Sequence, residues 1–153
     1  MSFVVVVGMD GSRLSELALE RAVSLSEQHP GAVVHVVNVV DGYDPMGRME
    51  YAADRGALDL SKERAALDAR LEALRVSRSG LPELVPHVLA GPPAKEIVRV
   101  ASHHDADAIV VGTHGRRGVE RLMLGSVAAE ILKVARCSVL VVREKHWKSD
   151  PAS

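Results

Sequence analysis

Near its carboxyl end the chain reads GTHGRRGVERLMLGS, residues 112–126. Four glycines, an arginine pair and a serine stand between a valine run, DAIVVG (107–112), and a periodic apolar stretch, SVAAEILKVA (126–135). Holding an anion is the chemistry that suits these residues. Gly112 and Gly115 bracket a tight turn leaving a strand, where a side chain would obstruct either the backbone dihedrals or a close ligand. Gly125 and Ser126 open a helix whose first amides lack intrahelical partners and carry partial positive charge. A phosphate chain lying between the two segments can accept those amides, with the Ser126 hydroxyl as a further donor. Arg116 either offsets phosphate charge or stays in solvent, and solvent is the better reading for Arg117. His114 lies inside the turn, where its ring either donates to a phosphate or ribose or faces water.

Other reactive constellations are absent or weak. GxxxxGK[ST] does not occur, so this is no P-loop NTPase and no lysine is pre-placed for a γ-phosphate. Without a G-x-S-x-G elbow, Ser12 and Ser126 have little support as nucleophiles, and no spacing specifies a Ser126–His114–Asp10 grouping. HHDAD (103–107) invites a metal reading, but neighbouring helical side chains point about 100° apart. His103 and His104 cannot easily share an ion, and histidines near a helix end complement its dipole. No metal ligand and no catalytic residue is assigned. Asp41 has the position of a ribose-binding acid at a strand tip, but no GxGxxG precedes it. The single Cys137 forms no intrachain disulfide and reads as a small core residue.

The elements that must position the glycines are legible as alternating patterns. FVVVVG (3–8) is a continuous apolar run, as expected for a strand covered on both faces. Leu14, Leu17, Ala18, Ala22 and Leu25 then fall at helical spacing behind Ser12, a plausible N-cap. AVVHVVNVV (32–40) is the second strand, and Leu60, Leu67, Leu71 and Leu74 mark the second helix. LVPHVLA (84–90) is a third strand, whose Pro86 suits a sheet edge. Pro93 opens a third helix that buries Ala94, Ile97, Val98 and Ala101. Residues 107–112 form strand four. Helix four buries Ala128, Ile131, Leu132 and Ala135, and SVLVV (138–142) is strand five. Strand–helix alternation calls for right-handed crossovers and an open parallel sheet. In such sheets ligands bind beyond the carboxyl ends of the strands, here GMDGS, NVVD and GTHG. The long connection 41–56 is either a lid or variable surface.

Bulk properties fit this reading. The chain has 153 residues, 47% hydrophobic and 25% charged, with a formal net charge of −1. That length forms one domain with a core of its own. The near-neutral, interspersed charge argues against nucleic acid as a partner. The amino terminus has no basic leader, and its apolar run is far short of the roughly 20 residues a membrane span needs. No membrane insertion and a cytoplasmic location are expected.

The spacing GxxG, nine residues, then GS resembles the universal stress protein family, specifically its ATP-binding branch. Gly112, Gly115, Gly125 and Ser126 match the signature G-x2-G-x9-G-(S/T) of that branch. The resemblance covers about residues 3–143: VVVVGMDGS resembles the first strand and its Asp turn, GPPAKEIVRVASHHDADAIVVGTHGRRG the third helix and fourth strand, and CSVLVV the last strand. Length gives one domain over 1–153 with a core at 3–143, and the tail at 144–153, which has no periodicity, is expected to fray. The implied architecture is an α/β fold, an open five-stranded parallel sheet in the order 3-2-1-4-5 with helices on both faces, Rossmann-like and similar to adenine nucleotide alpha hydrolases. Asp10 would contact the ribose or adenine side, and the Val39 backbone the adenine edge. The amides of 112–116 and 125–127, Val127 included, would hold phosphates. Gly8, where some relatives carry proline, joins the set. The family's variable central loop gives no specific task to Arg117 or Arg121.

The resemblance further implies an ATP-binding regulatory protein of the stress response that dimerises through strand 138–142. ATP, ADP or AMP is the expected cofactor, and an unidentified regulatory protein reads the nucleotide-dependent order of the loops. Two alternatives stand beside it. One is a weak Mg2+-dependent ATPase or phosphoryl-transfer enzyme, with the ion bridging phosphates. The other is a dimeric interaction module without nucleotide.

Overall fold

A computed structural model describes residues 1–40, 59–114 and 124–145. The valine run becomes β1 (Val4–Gly8), followed by α1 (Arg13–Ser26), β2 (Val33–Val40), α2 (Ser61–Ser77) and β3 (Glu83–Ala90). The second half comprises α3 (Pro93–His103), β4 (Ala108–Gly112), α4 (Ser126–Val134) and β5 (Ser138–Val142). The five strands are parallel and lie in the order β3-β2-β1-β4-β5. Every strand and helix read from the sequence is present, with boundaries moved by a residue or two.

Central placement explains the unbroken apolarity of β1. Val5 and Val7 project into a core shared with Ala18, Leu19 and Val23 of α1 and Leu67 and Leu71 of α2. Val6 projects the other way, towards Ala94, Ile97 and Ala101 of α3 and Ile131 of α4. All three valines are fully buried, and each such burial stabilises the fold by about 1.5–3 kcal/mol. Leu19 and Val23, which the periodicity reading passes over, are also fully buried. Leu132 corrects that reading in the other direction. It was expected in the core, but it is 48% exposed, because α4 turns only the Ala128–Ile131 side to the sheet.

The two rims of the sheet differ. β3 forms one, and Pro86 sits within it as its side of the pairing allows. The amides of Glu83 and Gly91 donate inward to Ala32 and Val40, so even-numbered residues of β3 turn their amides outward, where Pro86 has none. β5 forms the other rim, pairing with β4 through Ala108↔Ser138 to Gly112↔Val142. Exposed Leu132, Val134 and Leu140 lie on β5 and the neighbouring α4. Among the described residues no helix is long and apolar enough to cross a membrane.

Candidate functional site

The strand tips named from the sequence do converge. Gly8, the last residue of β1, pairs with Val37 of β2, and Val39 follows two residues on. On its other side β1 pairs with β4, and a Cβ on Gly8 would come within 3.2 Å of Val111 Cγ1. Beyond Gly8, buried Met9 donates its amide to the Val37 carbonyl, and Asp10 then turns the chain into α1. Asp10 Oδ1 accepts from the Ser12 amide at 2.8 Å, across Gly11, whose φ of 80° suits glycine. Ser12 caps α1 as expected: its hydroxyl accepts from the Ser15 amide at 3.3 Å, a contact worth about 1 kcal/mol.

Two glycines of the signature, Gly112 and Gly125, have a packing reason that the sequence did not offer. Neither Gly112 nor Gly125 has the positive φ that would require glycine. Packing excludes a side chain at both. A Cβ on Gly112 would lie 2.8 Å from Leu14 Cβ, so this glycine lets the first turn of α1 rest on the end of β4. A Cβ on Gly125 would lie 2.8 Å from the Thr113 carbonyl oxygen and 3.0 Å from His114 Cα. The two ends of the intervening loop therefore touch, sealed by the Gly125 amide donating to the Thr113 carbonyl at 2.6 Å.

Thr113 is the residue that sequence reasoning missed. It is 4% exposed, its amide donates to the Val142 carbonyl, and its carbonyl receives Gly125. Its hydroxyl lies 3.1 Å from His114 Nδ1 and fixes the half-buried ring beside the turn. A β-branched hydroxyl residue between two glycines was the available signal.

This closure determines which amides can serve a ligand. Those of Thr113 and Gly125 already have carbonyl partners. Ser126 and Val127 are the first two residues of α4, and their amides precede its hydrogen-bond ladder. Gly125 as N-cap offers them no side-chain acceptor. Ser126 is exposed, whereas the Val127 side chain packs on the core beneath α4, so Val127 offers its backbone. Uncapped donors at a positive helix end suit an anion, at about 0.3–1 kcal/mol for the dipole alone. Gly115, Arg116, Arg117 and Arg121, together with Asp41, the connection 41–56 and most of the tail, lie outside the described residues. A shallow depression of about 260 Å3 beside Ser26, His29, Pro30, Gly80, Leu81 and Pro82 lies at the opposite end of the sheet.

Comparison with known proteins accounts for this arrangement. The profile of the Universal stress protein family matches residues 1–143. A universal stress protein of Methanocaldococcus jannaschii is 34% identical over 140 residues, covering 92% of this chain and 81% of that protein. The solved structure of the universal stress protein UspA from Lactobacillus plantarum is 28% identical with a TM-score of 0.72, covering 92% of this chain and 97% of that one. Another universal stress protein, solved in complex with cAMP, is 25% identical with a TM-score of 0.63, covering 94% and 98%. By profile, identity and fold, the chain belongs to the universal stress protein family.

Proposed function

We propose that this chain binds an adenine nucleotide beyond the carboxyl ends of β1, β2 and β4 and acts as a nucleotide-dependent regulatory protein of the stress response. The carrying observation is the Gly125–Thr113 closure, which holds the uncapped start of α4 against the tip of β4. In this reading the Ser126 and Val127 amides and the Ser126 hydroxyl hold phosphate oxygens, and His114 flanks them. Asp10 and the Val39 backbone meet the ribose and adenine sides. Gly8, Gly112 and Gly125 keep the backbone close, and Gly115 and Arg116, outside the described residues, are assigned to the same set by the signature. The cAMP complex of a 25% identical relative supports the class of ligand. The choice of ATP, with Mg2+ bridging its phosphates, rests on the intact spacing Gly112, Gly115, Gly125, Ser126.

The working unit of this proposal is a cytoplasmic homodimer paired along β5, where exposed Leu132, Val134 and Leu140 would be covered. Equilibrium dialysis of the folded protein against ATP, ADP, AMP and cAMP tests the central claim. Saturable binding of at least one of them is expected, with ATP preferred. No binding at millimolar nucleotide would remove the proposal.

A further inference from the structure

Three histidines form a second site that the nucleotide reading does not use. His35 is the third residue of β2 and His87 the fifth of β3. The register sets His35 beside Val85 and His87 beside Val37. Period-two alternation turns both rings to the face where Val37, Val39 and Leu89 pack beneath α3. His104 reaches them from the other layer. It is the C-cap of α3, placed by a two-bond helix stop: the Ala106 amide donates to Ala101 and the Asp105 amide to Ser102. Asp105 holds a φ of 50°, a left-handed conformation that costs a non-glycine residue about 1 kcal/mol. The chain accepts this cost in a turn that holds His104 over the sheet.

The rings converge closely. His35 Nδ1 lies 2.8 Å from His87 Nε2, His35 stacks on His104 at a centroid distance of 3.9 Å, and one ring nitrogen of each histidine lies within 4.8 Å of the others. Tetrahedral coordination at about 2.0–2.1 Å places ligand nitrogens about 3.3 Å apart. Coordination would require the 2.8 Å hydrogen bond between His35 and His87 to open to that spacing and the half-buried His104 ring to turn its nitrogen towards them. His103 is exposed and meets His104 only edge-on, outside the group.

We propose that His35, His87 and His104 bind a divalent transition-metal ion through three imidazole nitrogens, with Zn2+ as the expected occupant and the fourth position left to water. Imidazole is a ligand of choice for such ions, and three protein ligands with one open position is an established zinc geometry. The site also lies at the carbonyl end of α3, where the helix dipole favours positive charge. Burial, then the charges of His104 and His87, bring His35 down to about 4, and burial, His104 and Arg64 lower His87. Arg64 itself is engaged by Asp68 at 3.1 Å. The site lies towards the amino ends of the strands, away from the proposed nucleotide cradle, and does not depend on it.

Chelator-treated, nucleotide-free protein titrated calorimetrically with ZnCl2, and with Co2+ as a spectroscopic probe, tests the assignment. One ion per chain is expected, with visible Co2+ bands of low-coordinate nitrogen ligation and a melting temperature raised by Zn2+. His103→Ala should behave as wild type. His87→Gln and His104→Gln should each weaken Zn2+ by about tenfold or more and lose the bands, while circular dichroism shows both folded without metal. If one of the two does not fold, the other carries the test. Absence of binding by wild type, binding that survives the glutamine substitutions, or equal loss in His103→Ala would each overturn the proposal.

Discussion

The amide of Gly125 donates to the carbonyl of Thr113 at 2.6 Å, so the two ends of the segment between them meet at one point. A Cβ at position 125 would meet that carbonyl oxygen at 2.8 Å and His114 Cα at 3.0 Å, and backbone does not yield as a flexible side chain does. Gly125→Ala should therefore lower stability by about 1–3 kcal/mol in chemical denaturation and weaken ATP in dialysis. Unchanged affinity in the folded variant would show that the closure does not shape the cradle.

Ser126 permits a sharper test of the α4 amides. It is the first residue of the helix, where proline is well tolerated, and Gly125 before it already has φ −61° and ψ 157°, the conformation that proline prefers in its predecessor. Ser126→Pro should retain the fold and delete both the amide and the hydroxyl, whereas Ser126→Ala deletes only the hydroxyl. ATP affinity should fall further in the proline variant, by about tenfold for one charge-assisted hydrogen bond. Equal affinity of the two variants would mean that the Ser126 amide holds no phosphate.

Cys137 gives a pH-dependent prediction. Burial, then the charge of Asp107, pushes its thiol above the ordinary value, outweighing backbone hydrogen bonds that lower it. The folded chain therefore keeps this proton at pH values where the unfolded chain has released it. Iodoacetamide labelling followed by mass spectrometry should show a midpoint at higher pH in native protein than in urea. Coincident midpoints would contradict the shift.

The proposed β5 pairing is testable without breaking the sheet. The Thr113 amide donates to the Val142 carbonyl, so Val142 turns its backbone groups to β4 and Val141 turns its own outward. Val141→Pro removes an outward donor while leaving the inner ladder its bonds. Light scattering should show a shift from dimer towards monomer at micromolar protein. A variant as fully dimeric as wild type would place the interface elsewhere.

Much of the fold is written in local patterns. Val5, Val6 and Val7 announce a doubly covered central strand, and Ser12 and Pro93 mark helix starts that need only their own neighbours. What the pattern could not give depends on the pairing of distant segments. Periodicity alone misplaced Leu132, because a nine-residue helix at the margin of the sheet buries a narrower stripe than its composition allows. The signature glycines were legible as a group, but their cause was not, since Leu14 and Thr113 become obstacles only once α1 and α4 are docked. The histidines show the same limit. His104 beside His103 looked like half of an unsuitable pair, and its partners at 35 and 87 are neighbours only through the β2–β3 register.

Pro86 has a consequence for assembly. It removes a donor from the middle of the outer rim of β3, while β5 keeps its donors, so the sheet has one adhesive margin and one blunted one. Molecules joined along β5 present two blunted margins to the solvent. In the proposed β5 pairing, association would stop at a pair instead of propagating into a fibre.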